Sequence, residues 1–167
     1  GGNKEIAKWL AEKSVDICLC ADPQDSGDYS WKELYRDPLV AWLPKNHPKA
    51  KQKTYKIKDL ETEDFIHTLP GQDTDQDRLI KQEGLNLQTR FTTKDGFTTY
   101  QMVKAGLGVS FNQAMIARDW KEEVVQVPLS PKRFVSLGMA LPKKEKTSPA
   151  VQRFMDCLDS WLKDLLK

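Results

Sequence analysis

The residues best suited to chemistry are few: three cysteines and two histidines. Cys18 and Cys20 lie two apart in a predicted strand, so their side chains share one face, and the extended backbone would strain a disulfide between them. A zinc site would need His47 and His67 to complete it, and neither has ligand spacing. We therefore interpret the cysteines as small, reduced, buried apolar residues of a cytoplasmic protein, and we predict no metal site.

Acids, serines and glycines give no catalytic pattern either. Asp73, Asp75 and Asp77 resemble the start of a calcium loop, but the glycine and the closing glutamate are missing at the required offsets. Acids in such a place ordinarily complement the dipole at a helix N-terminus. A serine hydrolase would need G-x-S-x-G, which does not occur, and the GLG segment at 106–108 follows a predicted helix, the reverse of a phosphate loop. The chain is predicted to be no enzyme and to need no cofactor.

Composition excludes several further classes of protein. The 167 residues carry 26 basic and 24 acidic side chains, a net charge of +2, whereas a nucleic-acid-binding surface normally gives a stronger basic excess. The longest apolar run, residues 39–43, is far shorter than the roughly 20 residues of a membrane helix. Residues 45–58 hold six lysines and no acid, and this run is either a solvated connection or a DNA contact. A globular protein with no membrane partner is expected.

The elements that must position any site follow from hydrophobic periodicity, which alternates between about 3.6 and 2 and predicts an α/β fold. Strands are predicted over residues 15–20, 39–43, 65–68, 87–92, 109–111, 124–129 and 134–141. Helices are predicted after Asn3, after a cap at Thr74 or Asp75, after Asp95, over residues 113–120 and after Ser148. Gly84 and Gly106 should end two of these helices, and residues 21–31 should form a loop. In the last helix, Val151, Phe154 and Trp161 keep helical spacing and are predicted to pack in the core.

An ordered series of motifs resembles one protein family along essentially the whole chain. The motifs are residues 9–19 (WLAEKSVDICL), 39–48 (LVAWLPKNHP), 58–60 (KDL), 69–71 (LPG), 103–109 (VKAGLGV) and 148–154 (SPAVQRF). Single motifs among these are weak, but the order and spacing of all six are specific. The chain resembles the effector-binding domain of LysR-type transcriptional regulators.

The resemblance implies a fold and a division of the chain. It implies two Rossmann-like α/β lobes joined by two crossover strands, as in a periplasmic-binding-protein-like (type 2) fold, with the effector in the cleft between the lobes. Lobe one is expected over residues 1–43 and 130–167, and lobe two over residues 44–129. The crossings would lie near residues 43–46 and 126–130. The sequence departs from the family pattern in two places. The family has a strand, a helix and a strand of lobe one before the glycine that matches Gly2, and these are missing from this sequence. Gln113 stands where the family often has a proline.

The resemblance also implies which loops bind the effector. Ligands of open α/β sheets bind beyond the carboxyl ends of strands, where helix N–H groups face the crevice. Each of Asn3, Thr68 and Asp95 also has a plain structural explanation as a helix or turn cap. The predicted effector-binding residues are Gly2, Asn3, Asp22, Thr68, Leu69, Pro70, Gly71, Gln72, Thr93, Lys94, Asn112 and Gln113.

Two ligand chemistries and one rival function stay open at this point. Helix N-termini and Lys94 suit a small carboxylate, whereas Asp22 suits a polar neutral or amine group, so a small carboxylate and an amino-acid-like metabolite are both candidates. The resemblance further implies a bacterial regulator that binds DNA through a separate helix-turn-helix domain and forms a homodimer or homotetramer. The rival is a periplasmic-type solute-binding protein of a transporter, which shares the lobed fold. Reduced cysteines and the Lys-Asn-His-Pro connection weigh against this rival.

Overall fold

The computed structural model describes residues 3–22, 29–120, 123–143 and 147–165. Within these ranges four helices and eight strands alternate along the chain, so the predicted α/β class is confirmed. The helices are α1 (Asn3–Ala11), α2 (Asp75–Glu83), α3 (Gly96–Lys104) and α4 (Pro149–Leu165). The strands are β1 (Cys18–Ala21), β2 (Tyr29–Pro44), β3 (Tyr55–Lys56), β4 (Asp64–Thr68), β5 (Gln88–Thr93), β6 (Ser110–Gln113), β7 (Val124–Ser130) and β8 (Phe134–Pro142). Short 3₁₀ turns cover Ile57–Thr62 and Ala114–Ala117.

The chain divides into two compact units, and β2 and β8 each run from one unit into the other. The first unit comprises Asn3–Tyr35 and Ser136–Lys167, and the second comprises Arg36–Val135. Two α/β units joined by two strands agree with the periplasmic-binding-protein-like class that the motifs predicted. The lobe boundaries given above, 43/44 and 129/130, stay a prediction.

In the first unit, β1 pairs antiparallel with β8, and β8 also neighbours β2. The core of this unit is formed by Leu10, Cys20, Tyr29 and Ala140. Gly138 of β8 must be glycine because a Cβ atom there would lie 2.3 Å from the indole ring of Trp31. The apolar face of α1 therefore packs on a short antiparallel sheet whose strands approach closely.

In the second unit, β2 pairs antiparallel with both β6 and β7, while β3 adds to β7 in parallel. β4 and β5 form a separate parallel pair, and the main chain of Val109 bonds to that of Asp64 and Ile66, which joins β4 to the segment entering β6. Parallel pairing suits strands that are covered on both faces. One cluster of the core consists of Val40, Trp42, Ile66, Tyr100, Val103, Ala117 and Val124.

Local capping signals are confirmed where the sequence placed them. Thr74 accepts from the amide of Asp77 and forms a capping box with that residue, and Gly84 ends α2 in the left-handed conformation. Asp95 caps α3 by accepting from the Thr98 amide. These helix boundaries depend on bonds within a few residues of sequence, which is why the sequence predicts them well.

Several predicted boundaries are wrong. The first strand covers Cys18–Ala21 and excludes residues 15–17, and the predicted loop over 21–31 gives way to β2 at Tyr29. The strand predicted over 39–43 is the end of a 16-residue strand that continues through Asp37 and Pro38, both usual strand breakers. The helix predicted over 113–120 is one 3₁₀ turn preceded by strand, and α3 ends at Lys104 rather than at Gly106.

Side-chain burial also departs from prediction in the first unit. Cys20 is buried, but Cys18 is only half-buried and Cys157 is exposed; all three are free thiols. In α4, Val151 is buried, but Phe154 and Trp161 are exposed, so the prediction that these two pack in the core is wrong. None of the helices in the described ranges is long and apolar enough to cross a membrane.

The lysine-rich connection is mostly solvated. Lys45, Lys51 and Lys53 are exposed, while Lys49 forms ion pairs with Asp59 at 3.2 Å and with Glu63 at 3.5 Å. Ion pairs of this kind hold the connection on the second unit. Its alternative interpretation as a DNA contact stays a prediction.

Candidate functional site

A cavity of about 160 Å³ lies in the second unit, where the end of β4, the start of α2 and strand β6 come together. Its position beyond the carboxyl end of β4 is the place where open α/β sheets bind ligands. The wall is mixed, with two large apolar side chains among polar ones. The lining residues are Leu39, Thr68, Thr74, Asp75, Gln76, Phe111, Asn112 and Gln113.

The first turn of α2 forms one wall of this cavity. The capping box orients Thr74 and Asp77, and the helix begins at Asp75 with backbone N–H groups that no preceding turn can bond. The positive end of the helix dipole therefore points to this side of the cavity. Asp75 supplies an opposing negative charge at the same place.

Gln76 fixes the wall in position. Its side chain is only 3% exposed, and its oxygen accepts from the Thr68 amide at 2.8 Å. Its Nε2 donates to Ser110 Oγ at 3.0 Å and to the Phe111 carbonyl at 2.6 Å. Because every polar atom of this amide is bonded, Gln76 holds the cavity walls together rather than offering groups to a ligand.

Three buried threonine hydroxyl groups, one of which belongs to the cavity lining, are hydrogen-bonded in a chain. Oγ1 of Thr99 lies 2.7 Å from Oγ1 of Thr68 and 2.6 Å from Oγ1 of Thr93. The Thr99 hydroxyl also donates to the Asp95 carbonyl at 3.2 Å. Because the single proton of Thr99 goes to the Asp95 carbonyl, Thr68 donates its proton to Thr99 and can offer only lone pairs to a ligand.

Two carboxyl groups have raised pKa values near the cavity. Burial raises the pKa of Asp75, while the bond that Gln113 donates to its Oδ2 and the charge of Arg78 act in the opposite direction. Burial also raises the pKa of Asp37, and the charge of Asp75 raises it further. The Met115 amide, which donates to Oδ2 at 3.0 Å, lowers this pKa. Each carboxylate is thus held in surroundings that disfavour its charged form.

One polar atom of the cavity lining and one on strand β2 are buried with no hydrogen-bond partner among the described residues. They are Nδ2 of Asn112, which lines the cavity, and Oδ1 of Asp37. Asp37 is 1% exposed and lies two residues before Leu39 in β2, so it faces the same side of the strand as that lining residue. Buried polar atoms without a partner are uncommon, and at a cavity they indicate a place for a ligand or water.

The loop that follows β4 is held in an unusual conformation. Leu69 and Asp73 have positive φ angles of 48° and 57°, as does Gly71 at 77°. Asp77 stabilises the turn, since its carboxylate accepts from the amide of Gly71 at 3.1 Å and from that of Thr74 at 3.2 Å. The loop therefore presents its backbone beside the cavity without supplying lining side chains.

The structure brings together only some of the predicted site residues. Thr68, Asn112 and Gln113 line the cavity, but Lys94 is exposed and outside its lining, and Thr93 is buried in the hydroxyl chain. Leu69, Pro70, Gly71 and Gln72 form the adjacent loop without contributing to the lining.

Other predicted residues lie elsewhere. Asn3 starts α1 and Asp22 follows β1 in the first unit, while Gly2 is outside the described residues. The contributions of these three to effector binding stay a prediction. Sequence reasoning missed five lining residues: Leu39, Thr74, Asp75, Gln76 and Phe111. The sequence predicts Thr74 or Asp75 as a helix cap. Their position at a helix start after a strand is the feature that could have identified them as lining residues.

The cavity has no obvious place for a metal ion. Among the described residues, no group of three or more His, Cys, Asp or Glu side chains could hold one. Asp75 is the sole acid in the cavity lining formed by those residues. The arrangement can bind a small polar molecule through amide, hydroxyl and carboxylate groups while Leu39 and Phe111 cover an apolar part of it.

The family model for the LysR substrate binding domain matches residues 1–163. The chain belongs to this family. It is 25% identical over 158 residues to the uncharacterized HTH-type transcriptional regulator YvbU of Bacillus subtilis, covering 93% of this chain and 53% of that protein. It is also 25% identical over 162 residues to the transcriptional dual regulator GltC of the same organism, with 93% and 54% covered. The chain spans about half the length of these relatives.

Solved structures show the same fold. The regulatory domain of Synechocystis CcmR in complex with 2-PG aligns with a TM-score of 0.86 at 18% identity, covering 97% of this chain and 80% of that one. The effector binding domain of QuiR in complex with shikimate aligns with a TM-score of 0.81 at 20% identity, with 98% and 79% covered. The predicted LysR resemblance and fold are confirmed, and the chain is an effector-sensing regulatory domain of the LysR type. The solute-binding alternative is not favoured, because the relatives are transcriptional regulators.

Proposed function

We propose that a small-molecule effector binds in the cavity between α2 and β6 of the second unit. The observation that carries this proposal is the cavity itself, which combines a helix N-terminus, the unpartnered amide of Asn112 and the carboxylate of Asp75 with two apolar side chains. Ligand sites typically combine an apolar lining with a few placed polar groups in this way. Thr68, Asn112 and Gln113 are proposed to contact the effector directly.

The proposal extends to the loop and to the whole protein. Residues 69–72 and Thr93 would surround the effector without lining its pocket, whereas Lys94, which is exposed, would not contact it. The whole protein would be a cytoplasmic bacterial regulator, not an enzyme, that binds DNA through a helix-turn-helix domain and assembles as a homodimer or homotetramer. Support comes from relatives named as HTH-type regulators, of which this chain spans about half.

A thermal-shift screen of metabolites tests the cavity. A ligand at about 100 times its Kd stabilises a protein by about 2.7 kcal/mol. For a chain of this size that corresponds to a rise in Tm of about 5–10 °C. Titration calorimetry on the metabolites that raise the Tm would then give the affinities for comparison between variants.

Two variants decide whether such a metabolite binds at the cavity. Asn112→Ala removes the unpartnered amide, so the ligand-free chain should keep most of its stability while the effector binds at least tenfold more weakly. Lys94→Ala changes an exposed side chain outside the lining and should leave the affinity unchanged. An effector whose affinity depends on Lys94 but not on Asn112 would place the site outside this cavity.

A further inference from the structure

The cavity offers negative charge to a ligand and no positive side chain. Among the lining residues, all of which the structure describes, Asp75 is charged and there is no lysine, arginine or histidine. The N-terminal dipole of α2 offsets part of this charge, because a helix terminus carries roughly half a unit charge. A ligand carboxylate placed beside Asp75 would still meet a full negative charge at hydrogen-bond distance, with little water between them.

The cation whose charge acts on Asp75 is paired with another carboxylate. Arg78, one turn further along α2, forms a two-pronged ion pair with Asp73: its Nε donates to Oδ1 at 3.0 Å and its Nη2 to Oδ2 at 2.6 Å. Bidentate pairing of this kind fixes the guanidinium and satisfies much of its charge. Lys94, which the sequence suggested as the counterion for a carboxylate ligand, is exposed and absent from the cavity wall.

A second buried carboxyl group lies on β2, the strand that pairs with β6. Asp37 is 1% exposed, faces the same side of β2 as the lining residue Leu39, and has one oxygen without a partner among the described residues. The charge of Asp75 contributes to the raised pKa of Asp37. A cation in the cavity would be attracted to both carboxylates and would relieve the cost of holding them together.

We propose that the effector presents a protonated amine, or another cationic nitrogen, to Asp75 and an oxygen acceptor to Asn112. This inference rests on the proposed function, because it assigns the ligand class of that same cavity. Gln113 already donates to one oxygen of Asp75, but a carboxylate accepts several hydrogen bonds, so capacity remains for an ammonium group. Of the two classes that the sequence left open, the structure thus favours the amine-bearing, amino-acid-like one over a simple carboxylate.

Matched probes of opposite charge test the assignment. Ethanolamine and putrescine serve as amines, and glycolate and succinate serve as carboxylates of similar size. Each is titrated at millimolar concentration into the ¹⁵N-labelled chain while the amide signals of Phe111, Asn112 and Gln113 are followed by NMR. The amines should shift these signals in a saturable way, and the carboxylates should leave them in place.

Charge removal provides the matched control. Asp75→Asn should weaken amine binding at least tenfold, whereas Asp64→Asn, which removes an equal charge at the opposite end of β4, should leave it unchanged. If the Asp75 variant fails to fold, the pH dependence in the wild-type chain replaces it. Amine affinity should then fall as the solution is acidified and the Asp75 carboxylate becomes protonated.

Three results would overturn the inference. Amine affinity that is unchanged in Asp75→Asn, or independent of pH, would show that this carboxylate does not bind the ligand. Carboxylates that shift the three signals while amines do not would reverse the ligand class and leave the cavity as the effector site. No shift with either class would remove the amine assignment, while the metabolite screen and Asn112→Ala would still test the proposed function separately.

Discussion

Gln76 in α2 donates a hydrogen bond of 2.6 Å from its Nε2 to the main-chain carbonyl of Phe111 in β6. The oxygen of the same side chain accepts from the Thr68 amide at the end of β4. One buried amide therefore ties the helix start to the ends of two strands. These are the three elements that meet at the cavity, so their spacing depends on this side chain.

Replacing Gln76 by alanine should destabilise the chain by about 3 kcal/mol. The change leaves the Thr68 amide and the Phe111 carbonyl buried without their partner, and each such group costs about 1–3 kcal/mol. Ser110 keeps a partner, because its hydroxyl donates to the Ile66 carbonyl. Urea unfolding of both proteins would give the difference in free energy of unfolding.

Gln82→Ala is the control for that measurement, because this residue lies on the exposed side of the same helix. It should change the free energy of unfolding by no more than about 0.5 kcal/mol. Equal losses in the two variants would mean that the buried bonds of Gln76 do not account for the effect, because alanine favours a helix at least as well as glutamine.

The two glycines of the AGLG motif should respond differently to alanine. A Cβ atom on Gly108 would lie 2.3 Å from the carbonyl oxygen of Asp64, the same oxygen that accepts from the Val109 amide at 2.8 Å. Gly106 has open space around it and a φ of 74°, so alanine there meets only backbone strain of about 1 kcal/mol. Gly108→Ala should cost more, about 2–3 kcal/mol, because β4 must move away.

Thermal unfolding of both variants measures this difference. Gly108→Ala should also shift the amide signals of residues 64–66 in an NMR spectrum, whereas Gly106→Ala should leave them in place. A larger loss of Tm for Gly106→Ala than for Gly108→Ala would contradict the close-approach explanation.

The parts of the fold that the sequence predicts are those with local causes. The capping box at Thr74, the cap at Asp95 and the left-handed end at Gly84 each depend on bonds within one helical turn, and all three are present. By contrast, β2 continues through Asp37 and Pro38, because pairing with distant strands outweighs the local preference of these residues. Propensity alone therefore predicts a strand that begins at residue 39, ten residues after the start of β2.

The cavity could be located from the sequence only in part. Thr68, Asn112 and Gln113 are predicted because they lie at the ends of predicted strands, and in the structure they are the last residues of β4 and β6. Asp75 fitted the ordinary pattern of an acid at a helix start, and nothing local shows that β6 packs against it and lowers its access to water. The burial of Asp37 likewise results from contacts with residues near 115, far along the chain. Long-range packing, which periodicity does not report, decides the chemistry of this site.

The repulsion between the two carboxyl groups should be measurable. Because burial and the charge of Asp75 raise the pKa of Asp37, Asp75→Asn should lower the pKa of Asp37 toward its ordinary value. Carboxyl ¹³C chemical shifts followed against pH report this directly. Asp64→Asn removes a distant charge and should leave the Asp37 titration unchanged; equal shifts in both variants would indicate a general charge effect.

Folding stability should depend on pH through the same pair. A carboxyl group whose folded-state pKa is raised binds its proton more tightly in the folded chain. Its contribution to folding stability is therefore fully present below the ordinary pKa of 3.8. That contribution is lost as the pH rises through the folded-state pKa. The wild-type chain should therefore lose part of its stability over that range. Comparing the Tm of wild-type and Asp75→Asn across the range reports the contribution of the Asp75 carboxyl group together with its effect on Asp37. Parallel curves would contradict the assignment.

His67 should produce the opposite dependence on the acid side of neutrality. Burial lowers the pKa of this imidazole from its ordinary 6.5. Asp77, whose Oδ1 lies 3.0 Å from Nε2, acts to raise the pKa, but burial is the larger cause. The folded chain therefore favours the neutral ring. A group of this kind contributes stability above pH 6.5 that is lost as the pH falls through 6.5 toward the lower folded-state pKa.

His67→Gln should accordingly flatten the stability profile between about pH 7.5 and about pH 5.5, the range in which imidazoles ordinarily titrate. Thermal unfolding at several pH values measures the change in Tm with pH for each variant. Because only this change is compared between variants, a loss of packing that is the same at every pH cancels. His47→Gln removes an imidazole from the separate cluster around Glu63 and should keep the acid-side fall of the wild-type chain. If His47→Gln flattens the profile and His67→Gln does not, the burial of His67 beside the loop at 69–73 is not the cause of the pH dependence.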